Sequence, residues 1–121
     1  MIRLKRVYEP ATSEDGTRFL VERLWPRGIK RSSLRLGAWV KEVAPSASLR
    51  RWFGHDPEKW NEFRRRYFRE LDKQISTWQS ILKVARNSRV TLIFSSHDME
   101  HNNAVALKEY LEAKLHKDAH Q

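Results

Sequence analysis

Five consecutive positions, Val90-Thr91-Leu92-Ile93-Phe94, are β-branched, aliphatic or aromatic with hardly a polar break, the pattern of a strand covered on both faces. It runs into the polar stretch Ser95 to Asn102. Beyond that, Ala104, Leu107, Leu111 and Leu115 recur at helical spacing and predict a last helix capped by Asn102 or Asn103. Ligands of open α/β folds bind where such strands end, so the polar stretch marks a candidate site.

The rest of the pattern is arranged around that strand. Ile2 to Tyr8 alternates aliphatic and charged residues and predicts a half-exposed edge strand. Glu9 to Arg18, with Pro10, Ser13 and Asp15-Gly16, predicts a loop with room for one helical turn. Phe19 to Trp25 predicts a second strand. Asp-Gly could make the two strands an antiparallel hairpin, although the connection is longer than a tight hairpin needs, so their orientation stays open. Pro26 and Gly28 end the second strand. Ser32 or Ser33 would cap a helix carrying Leu36, Trp39, Val40 and Val43 and ending before Pro45. Ser46 caps a short turn with Leu49, Trp52 and Phe53, stopped by Gly54. Asp56-Pro57-Glu58 starts a helix with Trp60, Phe63, Tyr67 and Leu71 on one face. Ile75, Trp78, Ile81, Leu82 and Ala85 continue with a shifted phase, which predicts a second helix or a bend between Lys73 and Ser76. The polar end, His116 to Gln121, is expected to fray. The expected fold class is α/β: a single domain over residues 1–121, with a small sheet of about three or four strands covered by helices as a three-layer sandwich.

Composition narrows the chemistry. With Cys 0, thiolate nucleophiles, disulfides and thiolate zinc sites are excluded. No stretch reaches the roughly 18 apolar residues of a membrane span, and the first residues do not read as a signal peptide. The expectation is a cytoplasmic protein with no membrane contact. Lys and Arg number 24 against 15 Asp and Glu, for a net charge of +9, and that balance attracts anionic partners.

Four groupings could carry chemistry. Arg23 and Arg27 flank the end of the second strand, and on a parallel sheet they would converge on the start of the last helix, whose free amides favour an anion. Candidate ligand-binding residues are therefore Arg23, Trp25, Arg27, Ser95, Ser96 and Asn102, with an anionic small molecule as partner; pairing of Arg23 with Glu22, Asp98 or Glu100 is the competing structural reading. His97 and His101, four apart, resemble a two-imidazole metal motif, but Asp98 stands where that motif needs Glu and a third ligand is lacking, so neither metal nor cofactor is expected. Ser95 and Ser96 lack the glycine flanks of a nucleophile elbow. If the chain catalyses anything, His55, His97, Asp98 and His101 are the acid-base candidates. Finally, Arg64, Arg65 and Arg69 sit beside aromatic residues as in nucleic-acid binders; since those aromatics fit a buried stripe, nucleic acid is the alternative partner and a solvated basic face the plainer account.

Leu4-Lys5-Arg6-Val7-Tyr8, Val21-Glu22-Arg23-Leu24-Trp25-Pro26-Arg27-Gly28, Trp52-Phe53-Gly54-His55-Asp56-Pro57 and Glu100-His101-Asn102 with Ala104 closely resemble the YeaO-like family of bacterial proteins, a branch of a larger domain-of-unknown-function family. The resemblance implies a small, mainly parallel α/β fold in which Arg23, Trp25, Pro26 and Arg27 gather near the loop from Ser95 to Asn102. It brings no reaction with it. The larger family often has a cysteine in that loop and usually reads Asn-His-Ala after it; here there is no cysteine, and Asn102-Asn103-Ala104 replaces the histidine.

Overall fold

A computed structural model describes residues 1–119. Val90–Phe94 (β4) is buried at all five positions and forms the centre of the sheet. It pairs in parallel with Ile2–Arg6 (β1) on one side and Thr17–Leu20 (β2) on the other, and Ala38–Trp39 (β3) adds in parallel beyond β2, giving the order β1-β4-β2-β3. Since β1 and β2 point the same way with β4 between them, Asp15-Gly16 makes no hairpin. The loop before β2 does contain one helical turn, Ser13–Asp15.

Two strands are shorter than the pattern predicts. β1 ends at Arg6 rather than Tyr8, although Val7 still donates to the Phe94 carbonyl at 2.7 Å. β2 starts two residues early, because Thr17 already donates to Arg89, and ends at Leu20 rather than Trp25. Beyond it, side chains take the place of the ladder. Asn103 Nδ2 donates to the Val21 carbonyl and Trp39 Nε1 to the Glu22 carbonyl, at 2.8 and 2.7 Å. With those acceptors satisfied, the backbone leaves the sheet at little cost.

The helix expected to carry Leu36, Trp39, Val40 and Val43 is the main correction. A single turn, Arg31–Leu34 (α1), stops at Arg35, which adopts a left-handed φ of 49°. The chain then runs back along β2, with Gly37 donating to Arg18 and Val40 to Leu20, at 2.7 and 2.8 Å. The open edge of β2 offered hydrogen-bonding partners to an extended segment, and this outweighed the modest helical propensity of a stretch containing Gly37.

Trp60–Lys73 (α3) and Asn103–Ala119 (α5) match the expected helices, the short turn expected after Ser46 is a helix, Ala47–Phe53 (α2), and Ile75–Ala85 (α4) follows α3. Gln74, at φ −130°, separates α3 from α4, so the phase shift marks two helices. Helix α5 continues through His116 to Asp118 instead of fraying there; the remainder of the expected frayed end, residues 120 and 121, lies outside the described residues. These helices bury Phe53, Phe63, Tyr67, Trp78, Leu107 and Leu111 against Phe19, Leu92 and Phe94. The alternate strand residues, Leu20 and Ile93, face a thinner cover of Val7, Leu34, Trp25, Ile29, Leu36 and Trp39. The two covering layers of the α/β fold are thus unequal. Among the described residues no helix is long and apolar enough to cross a membrane.

One hydrogen bond ties α3 to the chain before α2. Tyr67 is fully buried, burial raises its hydroxyl pKa, and the phenol donates to the Val43 carbonyl at 2.5 Å. Tyr67→Phe should strand that carbonyl and cost about 1–3 kcal/mol, visible as a lower denaturant midpoint with an unchanged m-value.

Candidate ligand-binding cleft

After β2 the chain turns toward β3, whereas after β4 it returns as α5 across β1 and β4. The ends of β2 and β4 therefore border a space that neither connection fills, the place where parallel sheets hold ligands. A cleft of about 350 Å³ lies there. Arg23 and Arg27 come from the turn after β2 and Arg50 from α2. Phe53, Phe63 and Pro45 supply apolar wall, and Ser95, Ser96, Asn102 and Asn103 belong to the β4–α5 connection. A neighbouring cavity shares Arg27, His55, Ser95 and Ser96 and adds Tyr8, His97 and Asp98.

All of Arg23, Trp25, Arg27, Ser95, Ser96 and Asn102 line the first cavity, but their polar groups are not equally free. Arg23 and Arg27 are exposed, and among the described residues neither makes an ion pair or side-chain hydrogen bond, so the pairing with Glu22, Asp98 or Glu100 does not form. Trp25 instead props the turn: its Nε1 donates to the Ile29 carbonyl at 2.7 Å, its ring meets Trp39 edge-on, and the Arg31 guanidinium covers it. Asn102 is the N-cap of α5. Its Oδ1 accepts from Val105 and its Nδ2 donates to the Asp98 carbonyl, at 3.0 and 2.8 Å, so this buried amide stabilises the loop and the helix start. The Ser96 hydroxyl is used within the Ser96–Asp98 turn.

The acid-base candidates are divided. His55 stands at the junction of the two cavities with a left-handed φ of 57°, directly after Gly54, the left-handed stop of α2. His97 and Asp98 line the second cavity. His101 lines neither; its Nδ1 lies 3.0 Å from the Asp98 carboxylate and its ring packs edge-on against Trp60. Amide donation from Glu100, joined by His101, holds the Asp98 carboxyl below its usual range despite partial desolvation. Of the two imidazoles four residues apart, only His97 lines either cavity. Among the described residues Ser95 makes no hydrogen bond to an imidazole, the usual base of a serine nucleophile; its carbonyl accepts from Arg6.

Three residues escaped the sequence reading. Arg50 shares a helical face with Phe53, three positions on, so placing Phe53 in the wall would have placed Arg50 beside it. Arg6, at the end of β1, donates to the Ser96 and Ser95 carbonyls at 2.9 and 3.2 Å and clamps the β4–α5 connection; its signal was a lone arginine in register with Phe94. Glu22 is the one carboxylate among the residues lining the first cavity, and its burial raises its pKa against the lowering effect of Ser95 and the His55 charge.

The basic helical face is largely self-neutralised. Arg64 pairs with Glu109, Arg65 and Arg66 both reach Glu62, and the Arg66 guanidinium lies over Trp52 at 4.2 Å. Arg69 is exposed. The aromatic rings there are covered by the protein's own cations or buried, and offer little stacking surface for bases.

A small all-parallel sheet with a basic cleft at the ends of its inner strands defines the class: a compact α/β protein with a strand-end pocket. The model of the inactive DUF488-N3 subclade matches residues 1–121, and the chain belongs to that family. It is similar to the uncharacterised protein YeaO of Escherichia coli strain K12, 39% identical over 110 residues that cover 91% of this chain and 96% of YeaO. It is also similar to the uncharacterised protein Rv3073c of Mycobacterium tuberculosis strain H37Rv, 37% identical over 113 residues that cover 93% of this chain and 95% of that one. No solved structure matches the chain.

Proposed function

We propose that the protein binds a small anionic molecule, a phosphate, nucleotide or carboxylate, in the cleft beyond β2 and β4, and that it does so without chemical turnover. The observation that carries this reading is the pair Arg23 and Arg27, exposed at the cleft and without a carboxylate partner among the described residues, with Arg50, which donates to the Pro45 carbonyl, lining the same cleft. Guanidinium groups match oxyanions with two parallel hydrogen bonds. A binding role is also favoured by the description of the family as inactive. A cysteine-free chain suits a reducing compartment, and the cytoplasm is the proposed location. Nucleic-acid binding through Arg64, Arg65 and Arg69 finds less support, since the first two are paired.

The test is a thermal-shift titration with inorganic phosphate, nucleoside monophosphates and small carboxylates. A ligand at 100 times its Kd stabilises the fold by about 2.7 kcal/mol. The double variant Arg23→Ala, Arg27→Ala should lose this stabilisation while unfolding at the same temperature without ligand. Equal ligand shifts in both proteins would reject the cleft.

A further inference from the structure

Resting on that reading, we infer that the ligand is more than a bare anion: it also carries a pair of N–H donors, of the amidine type found in guanine or a guanidino group, which the Glu22 carboxylate receives. Four observations lead there. Glu22 lines the same cleft as Arg23, Arg27 and Arg50, yet among the described residues it forms an ion pair with none of them. A carboxylate facing an anion site weakens the site for every plain anion by like-charge repulsion. It gains selectivity only for a ligand that brings donors of its own. Next, the carboxylate has acceptor capacity left. Ser95 is its one donor neighbour among the described residues, whereas a carboxylate offers about four lone-pair sites.

Glu22 is also held in place from behind. Its carbonyl accepts from Trp39 Nε1 at 2.7 Å, and the preceding carbonyl, of Val21, accepts from Asn103 Nδ2 at 2.8 Å. Side chains from β3 and α5 thus fix the backbone that carries the carboxylate, which is the preorganisation a specificity group requires. The volume of about 350 Å³ and the walls of Phe53, Phe63 and Pro45 suit a molecule with a flat apolar portion better than an inorganic oxyanion.

Calorimetric titration of the full chain with matched pairs tests this. GMP is compared with ribose 5-phosphate, and 4-guanidinobutyrate with butyrate; in each pair only the first has the donor pair. The expected result is a preference of roughly tenfold or more within at least one pair, the usual discrimination of a bidentate contact. Which pair shows it separates a guanine nucleotide from a guanidino acid. Glu22→Gln, close in shape, should remove the preference, and where the GMP pair shows it, should improve XMP relative to GMP, because the amide offers one acceptor and one donor. The same variant should bind ribose 5-phosphate or butyrate more tightly than the wild type, since a negative charge has gone. A glutamate that only held the Ser95 loop would not produce that opposite movement. Equal affinities within both pairs, or a preference that survives Glu22→Gln, overturns the inference while leaving the anion site standing. If neither phosphate nor any of these compounds binds, the anion reading falls and takes the inference with it.

Discussion

Asp15→Ala should destabilise the protein by about 3–5 kcal/mol, the usual penalty for leaving a buried charge without its partner. Asp15 is fully buried in front of β2, and its carboxylate accepts from Arg18 at 2.6 Å, from Lys5 at 2.9 Å and from the amide and hydroxyl of Thr12. Lys5 can turn to solvent when the carboxylate goes; Arg18, 4% exposed and bonded to the Leu34 carbonyl at 2.8 Å, cannot. This network closes the end of the sheet's second face that no long helix covers, which is why its loss is felt globally. Burial alone would raise the Asp15 carboxyl above its ordinary 3.8, but the combined donors outweigh it and hold the carboxyl far below that value. A depressed folded-state pKa contributes stability that is complete above the unfolded value and fades as pH falls toward the folded one. The gap between wild type and Asp15→Ala in chemical denaturation should therefore be full at pH 7 and narrow below about pH 4. A gap that stays constant down to pH 2 would show that lost packing, not charge, sets the effect.

Gly16→Ala should be comparably damaging, by about 3 kcal/mol or more, from backbone strain together with a direct clash. Gly16 has φ 65° and ψ −139°, a region closed to residues with a side chain, and an added Cβ would lie 2.2 Å from the Arg89 carbonyl oxygen. That oxygen accepts from Thr17 at 3.1 Å and opens the pairing of β2 with β4. Relieving the clash means moving the first rung of the central pairing. Urea midpoints of the two variants, and of the pair combined, should be less than additive because Asp15 and Gly16 share one turn. Wild-type stability of Gly16→Ala would be incompatible with this backbone geometry.

Much of the cleft was legible before the fold. The run from Val90 to Phe94 and the arginines around Trp25-Pro26 are local signals, one set by burial on both faces and the other by a turn that proline enforces. What misled was segment 33–43, where Leu36, Trp39, Val40 and Val43 mimic one face of a helix. Trp39 and Leu36 instead cover the second sheet face, and Val43 enters the main core. Periodicity cannot register a neighbouring strand's open edge, and that edge decided the outcome. For Asn102 residue type favoured both a ligand contact and a helix cap; its two hydrogen bonds make it the cap, and it lines the cleft as well.

What the amino-acid order determined by itself was the α/β class, the buried central strand, the helices begun by Asp56-Pro57 and by Asn102, and the concentration of positive charge at one strand end, because each follows from propensity and periodicity over adjacent residues. Tertiary structure alone decided the strand order β1-β4-β2-β3, the placing of Glu22 and Arg50 in one cleft, and the burial of Asp15 with Arg18. Those depend on partners far apart in the chain, such as Val21 with Asn103 and Arg6 with Ser96, whose proximity no local pattern encodes.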